Sequence, residues 1–407
     1  MKQNKLVTAV SKIIGISLGV SVLGIQVAQA GKSVTVDSIS DQAEQGLITL
    51  REAIEITNQF SGTEINFDPA VFSEPQTITL ENGELLIASA VTINGPGADM
   101  LTINGNDESR IFTVDDGTSA TQVVSMSGLT LTGGNGASTV NDGVGGCVMS
   151  FEQLSILDSK VTGCDSRAGG GVWSRYGTLL IENSEITNNL AGNRGGGVYA
   201  RGALASIANS TISGNTANRL SEAGGGVNAR SADLEIINST ISNNQVRNAN
   251  AGGIYMKGSE VLTLMNSTVF NNAGMGIDPS GLVNISNSLI AGHSAGDCDF
   301  TQIGINSNNQ NNMDSDGSCD VQASNHSTVS DPMLEPLANF GGGTLTHRPL
   351  PGSPVIDSGD DSLCTEFDQR GETRPQDGDA DGTSICDIGA VELTLFEDVI
   401  FINSFEN

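Results

Sequence analysis

The chain is short of positive charge. It has 18 Lys and Arg against 47 Asp and Glu, a formal charge of −29 over 407 residues. A surface of that sign repels nucleic acid and anionic lipid, which excludes both as partners of the chain as a whole. Histidine is nearly missing: His293, His326 and His347 are scattered, so no Ser/His/Asp or Cys/His set can be drawn. Aromatic residues make up only 4%, with one Trp and three Tyr. No C-x-x-C pair occurs among the six cysteines, which argues against a thiolate metal site. After residue 30 no segment is apolar for the 18 or more residues that a membrane span requires.

Glycine, by contrast, is abundant at 51 residues, and its placement is periodic. Four copies of one pattern run from Gly169 to Asn272. Each opens on a glycine run and a branched residue, at Gly169-Gly170-Gly171-Val172, Gly195-Gly196-Gly197-Val198, Gly224-Gly225-Gly226-Val227 and Gly252-Gly253-Ile254. Each closes on an Asn-Ser pair, at Asn183, Asn209, Asn238 and Asn266. The branched residues 172, 198, 227 and 254 are 26, 29 and 27 apart, a solenoid period. Within a copy, Leu234-Glu235-Ile236 and Leu262-Thr263-Leu264 alternate as strands do, and no helix-length stretch fits between the glycines and the Asn-Ser pair. The expectation is an all-β, right-handed parallel β-helix with three short strands per coil. Inward columns follow from the spacing: Leu179/Ala205/Leu234/Leu262, Ile181/Ile207/Ile236/Leu264 and Ile186/Ile212/Ile241/Val269.

From the start of the chain, residues 1–30 read as a secretion signal: Lys2 and Lys5, an apolar run from Ile13 to Val27, and Ala28-Gln29-Ala30 for cleavage. Losing its three lysines takes the formal charge from −29 to −32. Residues 31–60 read as an N-terminal cap. Thr49 and Glu52, three apart before apolar residues, predict a capping box and a short helix at 50–59 that closes the solenoid's open end. Residues 61–295 form the β-helix, 296–393 an irregular disulfide-containing module, and 394–407 a tail that is open between a last covering strand and a sorting signal.

Three resemblances attach to these segments. Ile48-Thr49-Leu50-Arg51-Glu52-Ala53-Ile54 resembles the CSLREA motif of bacterial exported β-helix proteins, with Ile48 in place of the motif's cysteine. Residues 331–392 resemble the choice-of-anchor Q module, through Gly341-Gly342-Gly343-Thr344-Leu345-Thr346-His347, Asp368-Gln369-Arg370-Gly371 and Cys386-Asp387-Ile388-Gly389-Ala390-Val391-Glu392 among others. The repeats are similar to those of polymorphic outer membrane proteins, without room for their C-terminal barrel. These resemblances imply export or display at a bacterial surface, and no particular reaction.

Candidate chemistry lies just past the glycine runs. Trp173, Tyr199, Asn228 and Tyr255 follow the branched residue by one, and Arg175, Arg201, Arg230 and Lys257 by three. Strand alternation points both sets outward, so stacking predicts an aromatic ladder beside a cationic one. Cross-strand packing is the plainer account; the functional one is an acidic polysaccharide lying along the solenoid, and a protein partner is the third. This face offers no pair of carboxylates, which glycoside hydrolysis needs. Lyases of similar fold use an Arg or Lys base with calcium-bound carboxylates, and no aspartate cluster accompanies the cations here. The expected function is therefore binding, adhesin-like or glycan-contacting, with a polysaccharide lyase or hydrolase as the alternative. Asp377, Asp379 and Asp381, with Asp387 near the EF-hand's twelfth position, suggest structural Ca²⁺, against a solvated acidic turn. Asn312, Asp314 and Asp316 are a weaker echo. Nearest-neighbour disulfides would be Cys147–Cys164, Cys298–Cys319 and Cys364–Cys386, with the other fourteen connectivities open.

Overall fold

A computed structural model describes residues 33–119, 121–136, 143–247, 251–304, 308–320 and 323–394. The expected signal segment and most of the expected tail lie outside the described residues. The coil containing the second glycine run shows how the chain winds. Val198–Arg201 belongs to an eight-stranded sheet, Ala205–Ala208 to a twelve-stranded one, Thr211–Ser213 to an eleven-stranded one, and Thr216–Ala217 to a fourth of four two-residue strands. Every strand pairs in parallel with its equivalent one coil away. The solenoid is right-handed, the hand that twisted strands favour in parallel crossovers. The fourth sheet, absent from the three-strand expectation, uses the loop before each glycine run.

The inward columns stack in the predicted register: Leu179, Ala205, Leu234 and Leu262 are successive partners, as are Ile186, Ile212, Ile241 and Val269. All are buried in one continuous apolar core. The glycine column is steric in origin. A Cβ on Gly170 would strike the Gly196 carbonyl, and one on Gly196 the Gly225 carbonyl. Backbones of neighbouring coils therefore meet where a side chain cannot stand.

Two polar ladders run through the interior. Asn189, Asn215 and Asn244 each donate through Nδ2 to Oδ1 of the next asparagine, at 2.9–3.0 Å, ending on Asn272. The backbone N–H groups of Ser184, Ser210, Ser239 and Ser267 donate to the next serine's hydroxyl. The ladder asparagines are thus not the column 183, 209, 238 and 266. Those four sit at φ of +46° to +49° as turn residues, a conformation asparagine tolerates.

The N-terminal opening is closed by a helix, Leu50–Thr57, two residues shorter than expected, with both capping-box bonds between Thr49 and Glu52 present. Leu50, Ala53 and Ile54 are its buried face. Arg51 ties it to the first coil through Asp41 at 2.8 Å and the Gly83 carbonyl at 2.7 Å. The disulfides are Cys147–Cys164, in the solenoid, and Cys298–Cys319 and Cys364–Cys386 beyond its regular part.

Residues 331–394 turn back along the eleven-stranded sheet. Gln369 lies buried against it, donating to the Thr211 hydroxyl at 3.0 Å and accepting from the Thr240 hydroxyl at 2.7 Å. The turn asparagines hold the same segment: Asn238 donates to the Phe367 carbonyl, Asn266 to Leu363 and Asn287 to Asp360. The asparagine column therefore has a docking role that its repeat position does not disclose.

Candidate functional site: two grooves on the eight-stranded sheet

The two columns past the glycine runs stack as read from the spacing. Met149, Trp173, Tyr199, Asn228 and Tyr255 are successive partners, and so are Arg175, Arg201, Arg230 and Lys257. Val172, Val198, Val227 and Ile254 beside them face the core, so the columns are on the outer face.

Exposure differs from the expectation. Trp173 and Tyr199 are only 7% and 6% exposed, in a small apolar cluster with Val144 and Met149, flanked by Phe151 and Ala168. The rings of Trp173 and Tyr199 are parallel within 7° with centroids 6.4 Å apart, and Phe151 meets Trp173 edge-on at 5.1 Å. Loops ahead of the glycine runs roof this cluster, so the rings form a floor and not an open ladder. Asn228 is fully buried and donates to the Glu222 carbonyl, which separates Tyr255 from the other two rings.

Above that floor is a groove of about 320 Å³ lined by Arg167, Arg175, Arg194 and Arg201. Arg175 lies with its guanidinium carbon 4.4 Å from the centre of the exposed Tyr176 ring, and its buried Nε has no hydrogen-bond partner. Among the described residues no carboxylate forms an ion pair with Arg175 or Arg201.

The other half of the cation column is neutralised. Glu222 accepts from Arg194 at 3.1 Å, from Arg230 at 3.0 Å and from Lys257. Hydrogen bonds from Lys257 and then Arg230 hold its carboxyl down at about 2. The expected uniform ladder is thus split, because Glu222 sits in a loop of variable length where the repeat gives no register. Its partner Arg194 has a lowered pKa, first through burial and then through Arg230 and Arg219.

Beyond Glu222 a second groove of about 470 Å³ contains Tyr255, Lys257, Asp278 and Asp299. The expectation that this face carries no carboxylate pair is corrected here. Asp278 is the partner of Tyr255 in the next coil, and the bridge between Ile277 and Cys298 puts Asp299 one coil further in the same column. The coil after Asn272 is shorter than those before it and the register shifts between Ala251 and Ile254, so the period of the four copies did not align them. Burial, with Asp299 beside it, pushes the Asp278 carboxyl up to about 6.

The expected calcium ligands divide. Asp377 and Asp379 converge with Asp357, oxygens within 4.8 Å of one another. Asp381 is outside that group, and the buried Asp387 accepts backbone N–H groups of Asp357 and Leu393. The Asp357 oxygens already accept from Gly378, Asp379 and Ile385. Sequence proximity in an acidic loop did not translate into one four-carboxylate set. Asp314 and Asp316 of the weaker echo converge with Asp297, while Asn312 serves an interior network with Asn309 and the Ile285 carbonyl.

No helix among the described residues is long and apolar enough to cross a membrane. Among curated proteins none matches the chain. The crystal structure of pectate lyase Pel9A is similar with a TM-score of 0.50 at 12% identity, covering 90% of this chain and 98% of that one. The Azotobacter vinelandii mannuronan C-5 epimerase AlgE6 A-module has a TM-score of 0.34 at 15% identity, over 74% and 95% of the two chains. PfbA, a surface adhesin of Streptococcus pneumoniae, has 0.22 at 14%, also over 74% and 95%. At 12% identity the likeness to Pel9A is one of fold. A family model described as "Right handed beta helix region" matches residues 142–314, and with the coil-by-coil pairing it makes this chain a right-handed parallel β-helix protein.

Proposed function

We propose that the chain is an exported β-helix protein that binds an acidic polysaccharide along the eight-stranded sheet. One observation carries the reading: four guanidiniums line a single groove over an aromatic floor in a protein of formal charge −29. Stacked cations about 4.8 Å apart repel one another. Where the fold neutralises them it does so with Glu222; at Arg175 and Arg201 a ligand carboxylate would take that place, in charge-assisted hydrogen bonds. Repeating uronates on a repeating scaffold suit this geometry, with Tyr176 as an exposed ring for a sugar face. Three disulfides suit the oxidising conditions outside a cell.

The test is titration of the purified protein with uronate-rich and neutral oligosaccharides of equal length. Uronates bind, neutral sugars do not, and affinity falls with salt. Replacing Arg175 and Arg201 together by Ala weakens binding by about 100-fold, from loss of two charge-assisted bonds. Equal affinity for neutral sugars, or no change on the double substitution, overturns the reading.

A further inference from the structure

The second groove holds chemistry that binding does not use. Three side chains of one outward column, Tyr255, Asp278 and Asp299, stand on successive coils and line a cavity of about 470 Å³ with Lys257. The backbone N–H of Asp299 donates to the Ile277 carbonyl at 2.9 Å, which fixes the register of this last step.

The two carboxyls are in unlike surroundings. Asp299 is held ready: its Oδ1 accepts from the backbone N–H and the hydroxyl of Thr301, at 3.1 and 2.6 Å. Asp278 is half-buried and makes no side-chain hydrogen bond among the described residues. Its carboxyl stays protonated up to about pH 6 because of burial first and Asp299 second. A half-buried carboxyl raised in this way, beside a second carboxyl held by hydrogen bonds in the same cavity, is the arrangement of an acid and a nucleophile. Side chains in one column of adjacent coils are separated by roughly the strand spacing, about 4.8 Å. That is near the ~5–5.5 Å of glycosidases that work through a covalent intermediate, and well short of the ~6.5–9.5 Å that leaves room for a water in between.

We infer that Asp278 and Asp299 are a glycoside-cleaving pair for the acidic polysaccharide bound along the same sheet, with Asp278 as acid and Asp299 as nucleophile. The inference rests on the binding reading for its substrate class. Asp278 gives its proton to the glycosidic oxygen as the bond from that oxygen to the anomeric carbon breaks. The Asp299 carboxylate attacks the same carbon and forms a glycosyl ester. Water then attacks that carbon, gives its proton to the Asp278 carboxylate and releases Asp299. The sum is one glycosidic bond and one water consumed, two sugar ends formed, and both aspartates restored. Tyr255 offers its ring and hydroxyl to the sugar bound in this groove, and Lys257, which Glu222 already engages, borders the cleavage subsite.

The experiment follows release of reducing ends from oligogalacturonate, oligomannuronate and hyaluronan fragments by the full chain, with binding measured in parallel. Reducing ends appear without the ultraviolet absorbance of an unsaturated uronate, and kcat/KM falls as pH rises past about 6. Asp278→Asn lowers the rate by at least about 100-fold while oligosaccharide binding, which also reports folding, is kept. Asp299→Gly is inactive until azide is added, when it yields a glycosyl azide of inverted anomeric configuration. Binding without cleavage overturns the catalytic pair and leaves the binding reading standing. Unsaturated products overturn hydrolysis in favour of elimination. Cleavage unaffected by Asp278→Asn overturns the assignment of the residues, and absence of both binding and cleavage overturns both readings.

Discussion

The eight-stranded and eleven-stranded flanks are made by the same repeat and end up opposite in character. On the eleven-stranded flank a column of turn asparagines is used up by the chain itself, through Phe367, Leu363 and Asp360. On the eight-stranded flank a column of cations is half used, by Glu222, and half left open, at Arg175 and Arg201. Stacking multiplies whatever a position carries. Neutral amides stacked in this way need only hydrogen-bond partners, which backbone carbonyls supply. Stacked charges need an opposite charge, and the cation column itself carries none, so it comes from a loop or from outside.

The largest way to break the contrast is to strip the covered flank. Gln369→Ala leaves the buried Thr240 hydroxyl without its acceptor and removes the amide that Gln369 donates to the Thr211 and Thr344 hydroxyls, and is expected to cost about 3 kcal/mol of unfolding free energy. In hydrogen exchange, protection falls in strands 211–213 and 240–242 and is unchanged in 198–201 and 227–230. Uniform loss over both flanks would show that the covering segment is not a separate layer.

Acid and alkali are expected to act on opposite flanks. Burial of Asp387 beside Glu392 raises both carboxyls, and burial is the first cause for each. A raised folded-state pKa means stabilisation that is present below the unfolded value near pH 4 and is lost as pH rises through the raised one. The covering segment therefore loosens from about pH 4 through neutrality into mild alkali. Glu222 has the reverse sign. Lowered to about 2 from 4.5, it contributes fully above pH 4.5 and loses its contribution as pH falls through about 2. Limited proteolysis across pH, with fragments mapped, checks both directions. Cleavage near residues 366–376 rising with pH, and near 218–223 rising in acid, is the expected pattern.

The smallest effect sharpens the comparison. Glu222→Gln frees Arg230 and Lys257 and extends the open cation column by two coils. Uronate oligosaccharides long enough to span both grooves should bind about 3- to 10-fold more tightly, with short ones unchanged. Titration by chain length decides it; a uniform change with length would mean that Glu222 acts on the first groove alone.

The sequence was most legible where geometry is periodic. Val172 to Ile254 and Ile186 to Val269 could be aligned because a parallel coil must bring equivalent residues together. Which residues share a column was therefore readable, and how exposed they are was not. Trp173 and Tyr199 are roofed by loops whose lengths vary from coil to coil. Glu222 belongs to such a loop, and Asp278 and Asp299 lie past the four regular copies, where the coils are shorter. One signal was available: Asp278 and Asp299 flank Ile277 and Cys298 as Tyr255 flanks Ile254, which aligns them once the shortened coils are allowed.

A solenoid whose coils touch only their neighbours can come apart one turn at a time, like a spring drawn from its end. Here a single later segment grips coils from Thr211 to Asn287. Peeling any one of those turns means first prising off a strap that holds the others. Under tension these coils would resist together and let go in one event.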